Sequence, residues 1–175
     1  MSDPARPNAA SGIPSGNPAK PSKKKPSKAP VKSQKTEVYR ANFENLDNVR
    51  EFISTAARKC GLNASGIYAA QLAVDEAFSN IIEHAYGGES QEVIKCTCLI
   101  SADSLVIQLC DFGKPFNPAS ILDPDLDAEL EDRDVGGLGL YFIRQLMDEV
   151  EFTFFREEDT GRRCNVLRMV KRKEK

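Results

Sequence analysis

The stretch VDEAFSNIIEHAYGG, residues 74–88, carries Glu76, Asn80, Glu83 and His84 without a single Lys or Arg. At about 100° per residue, Glu76, Asn80, Glu83 and Gly87 fall on one stripe, roughly opposite Phe78 and Ala85. A solvated helix face ordinarily mixes charge signs, because Glu–Lys pairs one turn apart support it. Asn is a mediocre residue in mid-helix, since its amide competes for backbone groups. A carboxylate and a carboxamide one turn apart suit an oxygen-ligated Mg2+ with a general base beside it. A plain solvent face would present the same residues, so the stripe alone leaves both readings open.

Two later clusters could do related chemistry. In CDFGKPF, residues 110–116, Asp111 stands where an apolar run ends and Gly113 follows two residues on. Both types are favoured in simple turns. Equally, Asp111 could accept a hydrogen bond from an adenine amino group, with Gly113 letting the backbone approach the ring. In VGGLGLYFIRQLMDEV, residues 135–150, Gly136, Gly137 and Gly139 come immediately before a helical pattern. Free N–H groups and the positive helix end make an anion site there. The run is neither G-x-G-x-x-G nor a Walker loop, and it lacks the P-loop lysine.

The elements that must hold these clusters are legible from periodicity. TEVYRANF, residues 36–43, reads as a strand, and residues 46–60 place Leu46, Val49, Phe52, Ile53, Ala56, Ala57 and Cys60 at helical spacing before Gly61. A second helix runs from about 64 to 86, with Ala70, Ala73, Val74, Ala77, Phe78, Ile81 and Ala85 as its apolar stripe and Gly87-Gly88 as its stop. EVIKCTCLI and SLVIQLC form a hairpin around Ala102-Asp103, and VEFTFFRE and RCNVLRMVKR form another around Asp159 to Gly161. Between them lie a loop over 112–135 and a third helix over about 138–149. Helices interleaved with hairpins predict an α+β fold. It is a two-layer α/β sandwich whose mixed, mostly antiparallel sheet carries its helices on one face.

Composition sets the boundaries. Residues 1–35 hold seven prolines, seven lysines, one arginine and one acid, so this segment carries +7 and the remainder of the chain −9. Such a segment cannot bury enough apolar surface to offset its ordering entropy, and we expect a disordered tail over 1–35 and one domain over 36–175. The lysine run could touch nucleic acid or acidic protein, or simply keep the chain soluble. The acidic folded part argues against direct nucleic-acid binding. No run approaches the roughly 20 apolar residues of a membrane span, and no signal-peptide core opens the chain, which predicts a cytoplasmic protein. Five cysteines, at 60, 96, 98, 110 and 164, sit mostly in apolar runs. They read as buried free thiols, and with one histidine in the chain a zinc site is improbable.

The order of the three clusters carries a resemblance. E-x-x-x-N on a helix, D-x-G after a strand and G-x-G before a helix resemble the N, G1 and G2 boxes of the GHKL ATPases. The wording of VDEAFSNIIEHAYGG, DFGKPFNP and GGLGLYFIRQLMDEVEF is similar to that of the anti-sigma factor serine/threonine-protein kinases, over about residues 37–171. The resemblance implies a histidine-kinase-like ATPase fold that binds ATP and Mg2+. By it, Asn80 would ligate the metal and Glu76 would take the proton from the attacking hydroxyl. Asp111 would hold the adenine amino group with Gly113 beside the ring. Gly136, Gly137, Leu138, Gly139 and Leu140 would cradle the phosphates under a mobile lid at 114–135. Where many relatives place Thr in the last strand this chain has Asn165, which can still donate and accept, and its lid, DPDLDAELEDRD, is strongly acidic. His84 is expected at the pocket edge or packed beside the pocket, with packing the preferred reading.

Within the superfamily, the lone histidine lies inside the first box, so a complete sensor histidine kinase is not expected, and the 175 residues are expected to hold no further domain of the gyrase, MutL or Hsp90 kind. The resemblance therefore implies a stand-alone kinase. It would bind a sigma factor, phosphorylate a STAS-type anti-sigma-factor antagonist on Ser or Thr, and work as a homodimer. The alternative is a nucleotide-dependent partner-switching module with little or no kinase activity.

Overall fold

The computed structural model describes residues 30–115 and 138–174. Its first helix, α1 (Leu46–Cys60), buries Val49, Phe52, Ile53, Ala56, Ala57 and Cys60, and Gly61 closes it at φ 87° with its N–H on the carbonyls of Ala57 and Arg58. That left-handed conformation is the one glycine adopts without a Cβ penalty. Helix α2 (Ala64–Asn80) starts at Asn63, whose side-chain oxygen accepts from the Gly66 amide at 2.8 Å. This satisfies one of the helix's orphan donors. The helix does not end there. Residues Ile81–Ala85 continue it as a π-helical turn, closed by the Tyr86 amide on the Ile81 carbonyl at 3.1 Å.

Five strands form one sheet: β1 (Ser33–Arg40), β2 (Val93–Ile100), β3 (Ser104–Asp111), β4 (Glu149–Arg156) and β5 (Arg163–Arg172), in the order β1-β2-β3-β5-β4. The sheet expected to be mixed is antiparallel at every described pair. Helix α3 (Leu138–Leu146) lies between β3 and β4 in the chain. Strand alternation explains the two layers. Ile94, Cys96, Cys98 and Ile100 of β2 and Leu105, Ile107 and Leu109 of β3 are buried with Ile53, Phe78 and Ile143 of the helices in one core. The opposite face carries the half-buried Lys95, Thr97, Val106 and Gln108. The two-layer α+β sandwich is as predicted.

Two boundaries differ from expectation. β1 opens at Ser33, and Ser33, Gln34 and Lys35, expected within the tail, pair with Ile100, Leu99 and Cys98. Helix α3 stops at Leu146, short of 149, because the Asp148 amide already donates to Val170 of β5 at 2.8 Å. Its apolar periodicity runs on through the buried Met147, which is why the pattern overshot. The cysteines also divide. Cys60, Cys96 and Cys98 are buried free thiols, as read from the sequence, but Cys110 of β3 and Cys164 of β5 are joined as a disulfide, with Cα atoms 5.9 Å apart. They are 54 residues apart in sequence, and only the β3–β5 register makes them neighbours. No described helix is long and apolar enough to cross a membrane.

Candidate functional site

A cavity of about 180 Å3 opens between the C-terminal part of α2, the start of α3 and the facing ends of β3, β4 and β5. Its two ends are built differently. At the sheet end, Asp111 is the last residue of β3 and sits opposite Asn165 of β5. They are 6% and 8% exposed. Asp111 Oδ1 accepts from Asn165 Nδ2 at 2.9 Å and from the Gly113 amide at 2.9 Å, and Asn165 Nδ2 also donates to the Gly113 carbonyl at 3.2 Å. Burial pushes the Asp111 carboxyl above its ordinary value of 3.8, and these two bonds hold it back.

Gly113 has a structural task that the sequence did not disclose. A Cβ there would lie 2.5 Å from the Ala85 carbonyl oxygen, so the residue must lack a side chain for the turn to lie on the end of the π-helical segment. The Lys114 amide donates to that same carbonyl at 2.9 Å. The turn bearing Asp111 is thereby fastened to the helix bearing Asn80.

At the helix end, Asn80 Nδ2 donates to Glu76 Oε1 at 3.1 Å, and both residues are half-buried. Helix α3 starts directly against this pair. A Cβ on Gly139 would come to 1.8 Å from Glu76 Oε1 and 3.0 Å from Asn80 Nδ2. The neighbouring acid behaves otherwise. Asp75 faces α1, where its Oδ2 accepts from Arg50 Nε at 3.0 Å and Nη2 at 2.9 Å. Of two consecutive acids, Asp75 is neutralised by Arg50, while no basic side chain pairs with Glu76 among the described residues.

The structure thus brings together the described members of the three clusters. Asn80, Asp111, Leu140 and Asn165 line the cavity, and Glu76, Gly113 and Gly139 adjoin those residues. Leu138 opens α3 and is half-buried. Gly136, Gly137 and positions 116–135 of the expected lid lie outside the described residues. His84, expected to pack, is exposed at the cavity rim, because the π-helical turn shifts the residues beyond Asn80 off the α-helical stripe. Sequence reasoning missed Phe152, Phe154 and Arg163, and these line the cavity together with Lys114, read as the first residue of the lid. Arg163 lays its guanidinium 4.1 Å from the Phe154 ring centroid and keeps a buried Nε without a hydrogen-bond partner. Alternation would have put Arg163, Asn165 and Leu167 on one face, but which face meets the helices depends on the β3–β5 register.

The histidine kinase-like ATPase domain family matches residues 39–171. The chain belongs to this family. It is 32% identical to the serine-protein kinase RsbW of Listeria monocytogenes serovar 1/2a over 106 residues, which is 58% of this chain and 68% of that protein. To the RsbW serine-protein kinase of Staphylococcus epidermidis it is 30% identical over 139 residues, 77% of this chain and 85% of that protein. Among solved structures, the RsbU and RsbW domains of a Mycobacterium tuberculosis protein superpose with a TM-score of 0.54 at 15% identity, over 80% of this chain. The aligned part is 32% of that longer chain. The last likeness concerns the fold alone: an RsbW-like arrangement of an open antiparallel sheet with helices. In this RsbW-like domain the described residues of the expected boxes, Asn80, Asp111 and Leu140 among them, lie around one cavity.

Proposed function

We propose that this chain is an anti-sigma factor serine/threonine-protein kinase. In this reading it binds ATP with Mg2+, holds a sigma factor in the cytoplasm and phosphorylates an antagonist protein of STAS type on Ser or Thr, as a homodimer. The observation that carries the reading is Glu76, a carboxylate with no cationic partner among the described residues, one turn from Asn80 and in contact with Gly139 at the start of α3. The names of the relatives, serine-protein kinases, support the same reading.

The residues fit the nucleotide and its metal. Asn80 spends its Nδ2 on Glu76, which leaves Oδ1 as a hard oxygen ligand. Among the described residues there is no group of three or more His, Cys, Asp or Glu side chains that could hold a metal. An ion beside Asn80 would therefore draw most of its ligands from phosphate and water, which is how Mg2+ is usually held. ATP supplies the phosphoryl group, and the protein's share of such a transfer is positioning and charge stabilisation. Asp111, held by Asn165 and Gly113, would accept from the base amino group. The first-turn amides of α3 would face the phosphates. Glu76 would take the proton from the attacking hydroxyl, a task that needs a carboxylate free of a salt bridge.

The test is Glu76→Gln. A base that meets the incoming hydroxyl matters to the transition state and little to the nucleotide complex. Nucleotide affinity should stay within about threefold, while phosphorylation of the co-purifying antagonist falls by about 100-fold or more, the usual weight of a general base. Wild-type phosphorylation by the variant would remove Glu76 from the chemistry. If the wild-type protein binds ATP but phosphorylates no partner, it is a nucleotide-dependent binding module.

A further inference from the structure

The π-helical turn at Ile81–Ala85 inserts one residue beyond α-helical register, and its product is the placement of Tyr86. The Tyr86 hydroxyl donates to the Val93 carbonyl at the start of β2, at 2.8 Å, and accepts from the Phe112 amide at 3.0 Å. One side chain thus links the end of the α2 segment, the first residue of β2 and the middle of the Asp111–Gly113 turn. Such π-helical insertions recur at functional sites because they re-aim a helix end.

The Phe112 amide lies between the residue that bears the carboxylate and one of the two donors that aim it. Asp111 precedes it, and Gly113, whose amide donates to Asp111 Oδ1, follows it. The Phe112 ring lies outside the cavity lining, with Lys95 Nζ at 5.0 Å and Arg162 Cζ at 4.6 Å from its centroid. The turn is therefore fixed at three points: its side chain by two cations, its middle amide by Tyr86, and the following Lys114 amide by Ala85. Of these, Tyr86 alone holds the peptide that joins Asp111 to Phe112. Neither Tyr86 nor Phe112 lines the cavity, so neither would touch a nucleotide there.

We propose that Tyr86 is a positioning residue that sets the direction of the Asp111 carboxylate, and through it the site's affinity for the amino-bearing edge of an adenine base. The proposal rests on the nucleotide-site reading above and adds a residue that acts from behind it. Removing the hydroxyl leaves the Phe112 N–H and the Val93 carbonyl without their partner and lets the turn choose another direction. The phosphate end, built by Glu76, Asn80 and α3, has no bond to Tyr86 among the described residues.

The experiment compares two probes, Mg-ATP and Mg-tripolyphosphate, on wild type, Tyr86→Phe, Asp111→Asn and the double variant, with thermal midpoints recorded for each. Tyr86→Phe should weaken Mg-ATP about tenfold, the scale of one lost buried hydrogen bond. Mg-tripolyphosphate should stay within about twofold, the additivity expected of separate sites. With Asp111→Asn already present, the second substitution should cost less than about threefold, because its effect runs through that carboxylate. Equal loss of both probes, or an undiminished loss in the Asp111→Asn background, would reduce Tyr86 to a structural residue and overturn the proposal. One arm needs no variant: in the nucleotide-free wild type the Phe112 amide should exchange its hydrogen about 100-fold or more slowly than an open loop. Loop-rate exchange there also overturns it. Failure of the nucleotide reading looks different, since wild type would then bind neither probe.

Discussion

The two ends of the cavity are made of the same residue types and treated in opposite ways. At the sheet end, a carboxylate and a carboxamide, Asp111 and Asn165, are buried, face each other across two strands and are bonded to the turn that follows. At the helix end, Glu76 and Asn80 sit one turn apart on a single helix, half-buried, with one hydrogen bond between them. The first pair is held by tertiary structure on several sides. The second is held by helix geometry and by the close approach of Gly139. Recognition of a base edge needs donors and acceptors that do not move. Proton transfer needs a carboxylate that keeps an unshared oxygen and access to the incoming group. The difference in construction is the one that the proposed tasks, base recognition at one end and proton transfer at the other, would require.

Substitutions at either end should therefore fail differently. The largest effect should come from Gly139→Ala, whose new methyl would fall 1.8 Å from Glu76 Oε1. Either α3 retreats or the Glu76–Asn80 pair is pushed aside, and misplacements of about 1 Å cost on the order of 100-fold in rate. We expect phosphorylation to fall by at least that factor in single-turnover assays, with some loss of nucleotide affinity. That loss of affinity separates it from Glu76→Gln, which should spare binding.

Next in size is Asp111→Asn. Replacing a charged acceptor by a neutral one should weaken ATP about 10- to 100-fold, measured by titration with a fluorescent nucleotide. Burial holds the Asp111 carboxyl above its ordinary pKa, so its ionisation works against the nucleotide-free fold. The same variant should then raise the nucleotide-free thermal midpoint at neutral pH by a few degrees. A lower midpoint would mean that the carboxylate holds its turn together rather than serving a ligand.

The smallest effect is a pH dependence with a definite sign. The folded-state pKa of Asp111 is raised, so the penalty of its ionisation is absent below the ordinary value of 3.8 and grows as pH rises through the shifted value. The stability gap between Asp111→Asn and wild type should close on acidification. ATP affinity of the wild type should move the other way, beginning to fall at a pH above 3.8 as the carboxylate protonates. Affinity flat down to 3.8 would place the base edge elsewhere.

What the sequence determined by itself was the five strands and three α-helices in their chain order, and the order of the three clusters. Those depend on local rules: the 3.6-residue stripe of α2, strand alternation, and glycines at helix ends. Glu76 with Asn80 was legible because i and i+4 meet on any helix. The tertiary structure alone decided the rest. Asn165 meets Asp111, and Cys110 joins Cys164, only because β5 returns between β3 and β4. Asp75 and Glu76 are consecutive acids in sequence, and only the packing of α1 on α2 gives Arg50 to the first and leaves the second free of it. The π-helical turn that aims Tyr86 leaves no mark in apolar periodicity, since Ile81, which the 3.6-residue stripe includes, is buried in the π-helical turn as well. A single chain encodes which residues can do the chemistry, but which of them face one another is set by strand register and helix packing, where contacts between distant residues outweigh local preference.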